Sequence, residues 1–329
     1  SNMKVYGIAV IGLGSIGRKH VRLLREIYPN IKIILIRSGK GKKYVEEKLA
    51  SRVINSIQEL HQNEVQAAII SSPATFHLKH ASQLAEKNIH LMIEKPLSVN
   101  IDGVEDLKKK VKARKLKALV GYVLRYDPCA SMFKDWLKKN EIGTITQVKI
   151  ECGSYLPEWR PGQDYRDTVS AQSSLGGGVL LELSHELDYL QWFFGMPIAV
   201  QSMVRNSGTL DVDVEDQAVL LIESIMGYPI IVQLDFNRRH PKRSCIVQTT
   251  EGELIWDIVQ KTVKWRTEKE EVSIDQSDSD YMYREQLIHF INCIENNILP
   301  RVGLDDGANV LKIVNAVICS NKKGAKVIL

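Results

Sequence analysis

The feature that most restricts how this chain can fold is a near-continuous apolar run, residues 4–11, that feeds directly into Gly12-Leu13-Gly14-Ser15-Ile16-Gly17. An unbroken apolar run suits a parallel strand buried on both faces. Beyond the glycines, Ile16, His20, Leu23, Leu24 and Ile27 recur at helical spacing, and Pro29 closes the pattern. Strand, glycine turn and helix in that order are the context in which G-x-G-x-x-G signals a dinucleotide site. Gly12 permits the tight turn, Gly14 lets the backbone approach a pyrophosphate, and Gly17 packs helix against strand. Ser15 and Ile16 present the first amides of the helix, where negative charge is stabilised.

Further strands are expected at residues 32–36, 66–70, 89–93 and 116–123, with helical stretches between them. This alternation predicts an α/β fold whose first domain, residues 1–123, is a Rossmann doubly wound parallel sheet of six βα-type units. At the end of the second strand Arg37 stands twenty residues beyond Gly17, where an acid commonly holds the ribose 2′-hydroxyl of NAD. An arginine, then Ser38 and three lysines at 40, 42 and 43 favour a 2′-phosphate. The expected cofactor is therefore NAD(P), with NADP ahead of NAD; the alternative is that Arg37 only stacks on adenine and admits either. Tyr44-x-x-x-Lys48 imitates a short-chain dehydrogenase pair but lies far from the nicotinamide end, and is read as coincidence. After the fourth strand, Ser72, Pro73 and His77 are candidate cofactor contacts, with a structural role as the alternative for the histidine.

The strand at residues 89–93 ends in Glu94-Lys95-Pro96. Proline cannot donate to a strand ladder, so Pro96 stops the strand where Lys95 stands. Ligands bind beyond the carboxyl ends of strands in open α/β sheets, so Glu94 and Lys95 are candidate site residues. From Tyr126 the rhythm changes to long strand-like runs at residues 145–155, 198–204, 218–224, 230–236 and 245–249. They predict a second α/β domain, residues 124–329, built on a large, mainly antiparallel open sheet, with the C-terminal helix placed to pack back on the first domain. One helix interrupts the strands: Gly176-Gly177-Gly178 precedes Val179 to Leu190 and the stretch ends at Gly195. Glu182, His185 and Asp188 recur there at i, i+3 and i+6, along one helix side, and histidine suits proton transfer near neutral pH.

Composition excludes several classes. A formal charge of +5 decides nothing alone, and the basic run from Lys108 to Lys117 shares its stretch with Val104, Leu107, Val111 and Leu116 at roughly helical spacing. It reads as a solvated helix face, without the aromatics or reader motif that nucleic-acid binding needs. No apolar run is long enough to span a membrane and no secretory pattern opens the chain. Five scattered cysteines predict reduced, buried thiols in a cytoplasmic protein and no metal site.

Together, the glycine hexapeptide, Glu94-Lys95-Pro96 and the triple glycine ahead of His185 resemble the glucose–fructose oxidoreductase/inositol dehydrogenase/MocA family over essentially the whole chain. The resemblance implies an NAD(P)-dependent oxidoreductase of sugars, cyclitols or nucleotide-sugars, in which Lys95 and His185 flank the reacting carbon. It also implies a homodimer or homotetramer formed through the C-terminal sheet. Many members carry an aspartate four residues before the histidine; Leu181 stands there, which leaves Glu182 and Asp188 as candidates for catalytic support. Candidate substrate contacts are Tyr122 and Arg125, leaving the last strand of the first domain, and Trp159, Arg160, Tyr165 and Arg166 in one loop. Three other readings stay open: a redox-neutral NAD-using glycosidase, a sugar transhydrogenase, and a non-catalytic regulator on the same scaffold.

Overall fold

The apolar run becomes strand at Gly7–Ile11 (β1), every residue of it buried, in a computed structural model that describes residues 3–329. Flanking it in one parallel sheet are Lys32–Ile36 (β2), Arg52–Ile54 (β3), Ala67–Ile70 (β4), His90–Ile93 (β5) and Ala118–Val120 (β6). Their order, β3-β2-β1-β4-β5-β6, is that of the dinucleotide-binding doubly wound fold. Ser15–Ile27 (α1), His77–Glu86 (α2) and Val104–Ala113 (α3) follow β1, β4 and β5. The repeat is less regular than six βα units. After β2 the chain passes through Gly39 and Gly41 and makes only a 3₁₀ turn, Val45–Leu49. Two glycines and three lysines in seven residues give a helix little to start from.

The second unit packs Pro128–Leu137 (α4), Val179–Glu182 (α5), His185–Phe194 (α6) and part of a C-terminal helix with a nine-stranded sheet. Its strands are Ile145–Gly153 (β7), Ala199–Arg205 (β8), Gln217–Glu223 (β9), Pro229–Asp235 (β10), Lys242–Thr249 (β11), Glu253–Asp257 (β12), Thr262–Arg266 (β13), Glu270–Ile274 (β14) and Val327–Ile328 (β15). They lie in the order β14-β13-β12-β11-β7-β10-β9-β8-β15. β7 and β10 run parallel and the remaining pairs antiparallel, so the sheet is mixed but mainly antiparallel. The period of two is plain in β9: Ala218, Leu220 and Ile222 are buried, while Val219 and Leu221 are 46% and 52% exposed on the opposite face. Phe133 and Tyr189 of the helices pack on Trp256 of β12, with ring centroids 6.0 and 5.1 Å away. All five cysteines are unpaired.

The compact units do not follow a single cut. One comprises residues up to Val123 together with Ser279–Ala308; the other comprises Leu124–Asp278 and Asn309–Leu329. Residues 279–308 are grouped with the first unit, on which a C-terminal helix was expected to pack back. Tyr281–Glu295 (α7) places Leu287, Phe290, Ile291 and Ile294 in the same buried cluster as Ile8, Val10 and Leu24. Four apolar residues at i, i+3, i+4 and i+7 make that stripe, and the first sheet supplies its partner. Leu304–Lys323 (α8) crosses the division: its Gly307 packs on Leu97 and Val120, while Ser320 bonds the Ser202 amide of β8.

Candidate active site

At the end of β1, Gly12 adopts φ +88°, and a Cβ there would lie 2.8–2.9 Å from the Ser71–Ser72 backbone. A Cβ on Gly17 would sit 2.1 Å from the Gly12 carbonyl, so both positions require glycine for the turn itself. Gly14 differs: a Cβ there would meet nothing within 4 Å. It is the N-cap of α1, no side chain caps that helix, and its first turn carries no acid. The amides of Ser15, Ile16 and Gly17 therefore open onto a cradle that suits an anionic pyrophosphate. The sequence order of the glycines and this open approach fit a bound dinucleotide.

At the far side of that cradle, Arg37 packs its guanidinium 5.6 Å from the Tyr44 ring centre, and Arg18 lies over the same ring at 4.0 Å. Arg37 also donates to Glu47 (3.2 Å) and to the Lys42 carbonyl (2.6 Å). Tyr44, set aside in the sequence reading, is thus the centre of a cationic cluster with Arg18, Arg37 and Lys42. Ser38 hydroxyl accepts the Lys40 amide, closing the glycine-containing loop.

The strand-end residues form a continuous network. Lys95 follows β5 directly after Glu94, and the Lys95–Pro96 peptide is cis. Glu94 is buried; its Oε1 lies 2.6 Å from Nε2 of the fully buried His20. Its Oε2 accepts the Lys95 amide at 3.3 Å. Beyond Lys95, the Pro96 carbonyl faces Nδ1 of His77 at 2.8 Å, and the same ring's Nε2 faces the Ser72 carbonyl at 2.7 Å. Burial lowers the His77 pKa, against the two carbonyls that favour its charged form. Ser72 hydroxyl meets His80 Nδ1 at 2.9 Å, and Pro73 caps the short 3₁₀ turn before α2. His77 is therefore a buried joint between two strand ends, and Glu94 an anchored carboxylate.

In the second unit the triple glycine is again a matter of fit. A Cβ on Gly177 would strike the Val169 carbonyl at 2.3 Å, and Gly178, at φ +103°, lies against the Glu215 carboxylate. That carboxylate accepts the Leu180 amide at 3.1 Å and caps α5. Burial raises the Glu215 pKa, opposed by this amide bond. The expected single helix is broken: α5 ends at Glu182, and α6 starts at His185 after a turn at Leu183–Ser184. Hydrogen bonds from Leu187 to Ser184 and from Glu186 to Leu183 tighten the turn to three-residue spacing. Glu182, His185 and Asp188 thus do not form one stripe. Glu182 and His185 are half-buried, whereas Asp188 is buried and takes Arg125 in a two-pronged pair at 2.9 and 2.9 Å. Arg125, a candidate substrate contact, lies buried at the first turn of the second unit, paired with α6 and 4.9 Å from the Trp192 ring centre. Tyr122 is fully buried, so its ring is not an open contact either.

The remaining candidates do share one segment. Trp159 sets its edge on Phe236 at 5.3 Å and, with Arg160, Gln163, Tyr165 and Thr168, lines a shallow hollow. Arg166 forks onto Asp164 at 2.7–3.1 Å and approaches Asp211 at 3.5 Å; this arginine holds the Asp164 carboxyl down to about 2. Arg160 and Arg166 are therefore unequal: the second already has two carboxylates. Asp127, Cys129 and Asp275 bring possible ligand atoms within 4.8 Å. Asp127, however, caps α4 through the Cys129 amide, and Lys261 sits 3.6 Å from Asp275, so the cluster already has its donor and its cation.

Sequence reasoning missed Glu215 and the contact of His20, and it set Tyr44 aside as coincidence. His20 left a signal, three residues beyond the last glycine of the hexapeptide; Glu215 acts through contacts distant in sequence. The known proteins agree with the architecture. A 2,7-anhydro-N-acetylneuraminate hydratase from Mediterraneibacter gnavus is 21% identical over 87% of this chain and 77% of its own. The uncharacterised oxidoreductase YrbE of Bacillus subtilis is 27% identical over 57% of this chain and 54% of its own, so the chain matches about half the length of that relative. In fold, the chain superposes on the WlbA dehydrogenase of Bordetella pertussis, solved with NADH and UDP-GlcNAcA, with TM-score 0.86 at 16% identity over 100% of this chain and 99% of the other. Residues 6–122 match the Gfo/Idh/MocA oxidoreductase family's NAD-binding Rossmann fold and residues 134–329 its C-terminal alpha/beta domain, and the chain belongs to that family.

Proposed function

We propose that this protein is an NAD(P)-dependent oxidoreductase acting on a hydroxyl-bearing carbon of a sugar, cyclitol or nucleotide-sugar. The observation that carries this reading is the unbroken path from the glycine cradle to Lys95. Gly12 packs on Ser71–Ser72, His77 joins Ser72 to Pro96, and Lys95 stands between Pro96 and the anchored Glu94. A lysine at the ligand-binding end of a dinucleotide sheet supports a role in bonding the oxygen of a reacting carbon. The bound nicotinamide would accept or donate the hydride. In this reading His185 takes the hydroxyl proton as general base, and Lys95 stabilises the negative charge that develops on the oxygen. Trp159, Arg160, Tyr165 and Arg166 contribute to holding the sugar.

Lys95→Ala and His185→Ala are each expected to remove most turnover while leaving dinucleotide binding largely intact. Unchanged turnover in both would sink the assignment. A second reading draws support from the hydratase among the relatives: a redox-neutral reaction in which the hydride returns to the substrate. Net accumulation of NAD(P)H during a screen of sugars and nucleotide-sugars separates the two.

NADP is the proposed preference, supported by Arg37, Arg18 and Lys42 around Tyr44. Arg37→Asp is expected to shift preference toward NAD; a wild type that already prefers NAD overturns it. The proposed assembly is a homodimer or homotetramer through the open sheet, supported by Met203, Val219 and Leu221 exposed on its strands. Five unpaired thiols support a cytoplasmic setting.

A further inference from the structure

We infer that His20 and His77 are positioning residues that fix Lys95 from both sides, one through each neighbouring residue. The inference rests on the assignment of Lys95 proposed above and goes beyond it in naming what holds the lysine.

Both histidines are buried, His20 at 0% and His77 at 2% exposure. Neither belongs to a hydrophobic contact alone. His20 rises from α1, the helix that starts at the glycine cradle, and bonds Glu94 at 2.6 Å. Glu94 in turn holds the Lys95 amide through its second oxygen, while its own amide donates to the Ile70 carbonyl at 3.0 Å. Glu94 packs directly on Gly121, where a Cβ would lie 2.9 Å from Oε2 and 3.2 Å from the Glu94 Cα. Opposite, His77 rises from the start of α2 and holds the carbonyl of Pro96. The peptide before Lys95 and the peptide after Pro96 are thus tied to two different helices.

The consequence is directional. A side chain with four rotatable bonds can be aimed only if its backbone is fixed, and a displacement of about 1 Å at a reacting group can cost about 100-fold in rate. His20 also links the lysine to the helix whose amides form the cradle. Its Nδ1 has no hydrogen-bond partner among the described residues, so the Glu94 bond is the ring's one polar attachment.

The test uses the full chain with ¹³C-methylated lysines, the Lys95 signal being assigned by its loss in Lys95→Arg. In His20→Ala the Lys95 methyl resonance is expected to move toward that of a freely mobile lysine. kcat should fall about 10- to 100-fold, with sugar KM and dinucleotide Kd within about threefold of wild type. His20→Gln, which restores a donor toward Glu94, should regain most of both. Should His20→Ala not fold, His20→Asn, polar but too short to reach Glu94, carries the same expectation. His77→Ala should displace the same resonance. An unmoved Lys95 signal in the folded His20 variant overturns the inference. So does a loss of kcat matched by an equal weakening of dinucleotide binding. If wild type turns over no sugar, the functional reading fails while the resonance still decides the positioning.

Discussion

The two units secure their chemical residues by opposite means. Around Lys95 the restraint is mainly backbone fit: carbonyls, an amide, and a glycine against which Glu94 lies too closely for any side chain. Around His185 it is charge. α6 carries two buried acids, and each takes an arginine from a distant element. Asp188 is matched oxygen for oxygen by Arg125, and Gln191 adds a third bond at 3.2 Å. Glu186, next to His185, is gripped at Oε1 alone by two Arg243 nitrogens, at 3.0 and 2.6 Å, and its Oε2 has no hydrogen-bond partner among the described residues. Backbone fit fails when volume is added; a buried ion pair fails when one partner is removed.

The sharpest break of this contrast is therefore in the second unit. Asp188→Ala leaves Arg125 buried without its carboxylate, and a loss of about 3–5 kcal/mol is expected from denaturant midpoints. Glu186→Ala should cost less, because the Arg243 side chain keeps 27% exposure against 8% for Arg125. Equal losses would remove the distinction between the pairs. Next in size is an acid effect in the first unit, at the opposite end of β5 from Lys95. Burial, with Lys117 adding to it, pushes the His90 imidazole down to about 4, and its Nδ1 accepts the Lys117 amide. The folded value lies below the unfolded value of roughly 6.5. This stability is therefore present above pH ~6.5 and is lost as the pH falls toward 4, by at most roughly 3 kcal/mol. His90→Gln should flatten that part of the stability–pH curve; a curve unchanged from wild type contradicts it. Smallest is Gly121→Ala, expected to cost about 1–3 kcal/mol by overpacking against Glu94. A melting temperature equal to wild type would show that the fit at the strand end has slack.

How much was legible follows the same divide. β1, β4 and β5 could be read because strands buried on both faces are continuously apolar, and the glycine cradle because each glycine answers a local requirement. Lys95 was legible through Pro96, which marks a strand end by its own chemistry. The Arg125 pair was not legible because its partner, Asp188, lies 63 residues away and nothing in either neighbourhood announces it. The break at Leu183–Ser184 was hidden for another reason: no proline or glycine marks the turn, Ser184 keeping helical angles while Leu183 alone departs, at φ −98° and ψ 27°. A C-terminal helix was expected to pack back on the first domain without its residues being named; α7 is the helix that takes that destination, its apolar stripe entering the first unit's core.

That destination bears on how the chain is made. Residues 3–123 contain the whole parallel sheet, yet Leu287, Phe290, Ile291 and Ile294 complete its core. A ribosome adding about 5–20 residues per second would need on the order of ten to thirty seconds between finishing β6 and supplying α7. Through that interval the nascent sheet has its cradle but not its cover, and Val10, Leu24 and their neighbours form a surface that chaperones or other nascent chains can reach. The order of synthesis, rather than the finished fold, sets how long this apolar surface waits for its cover.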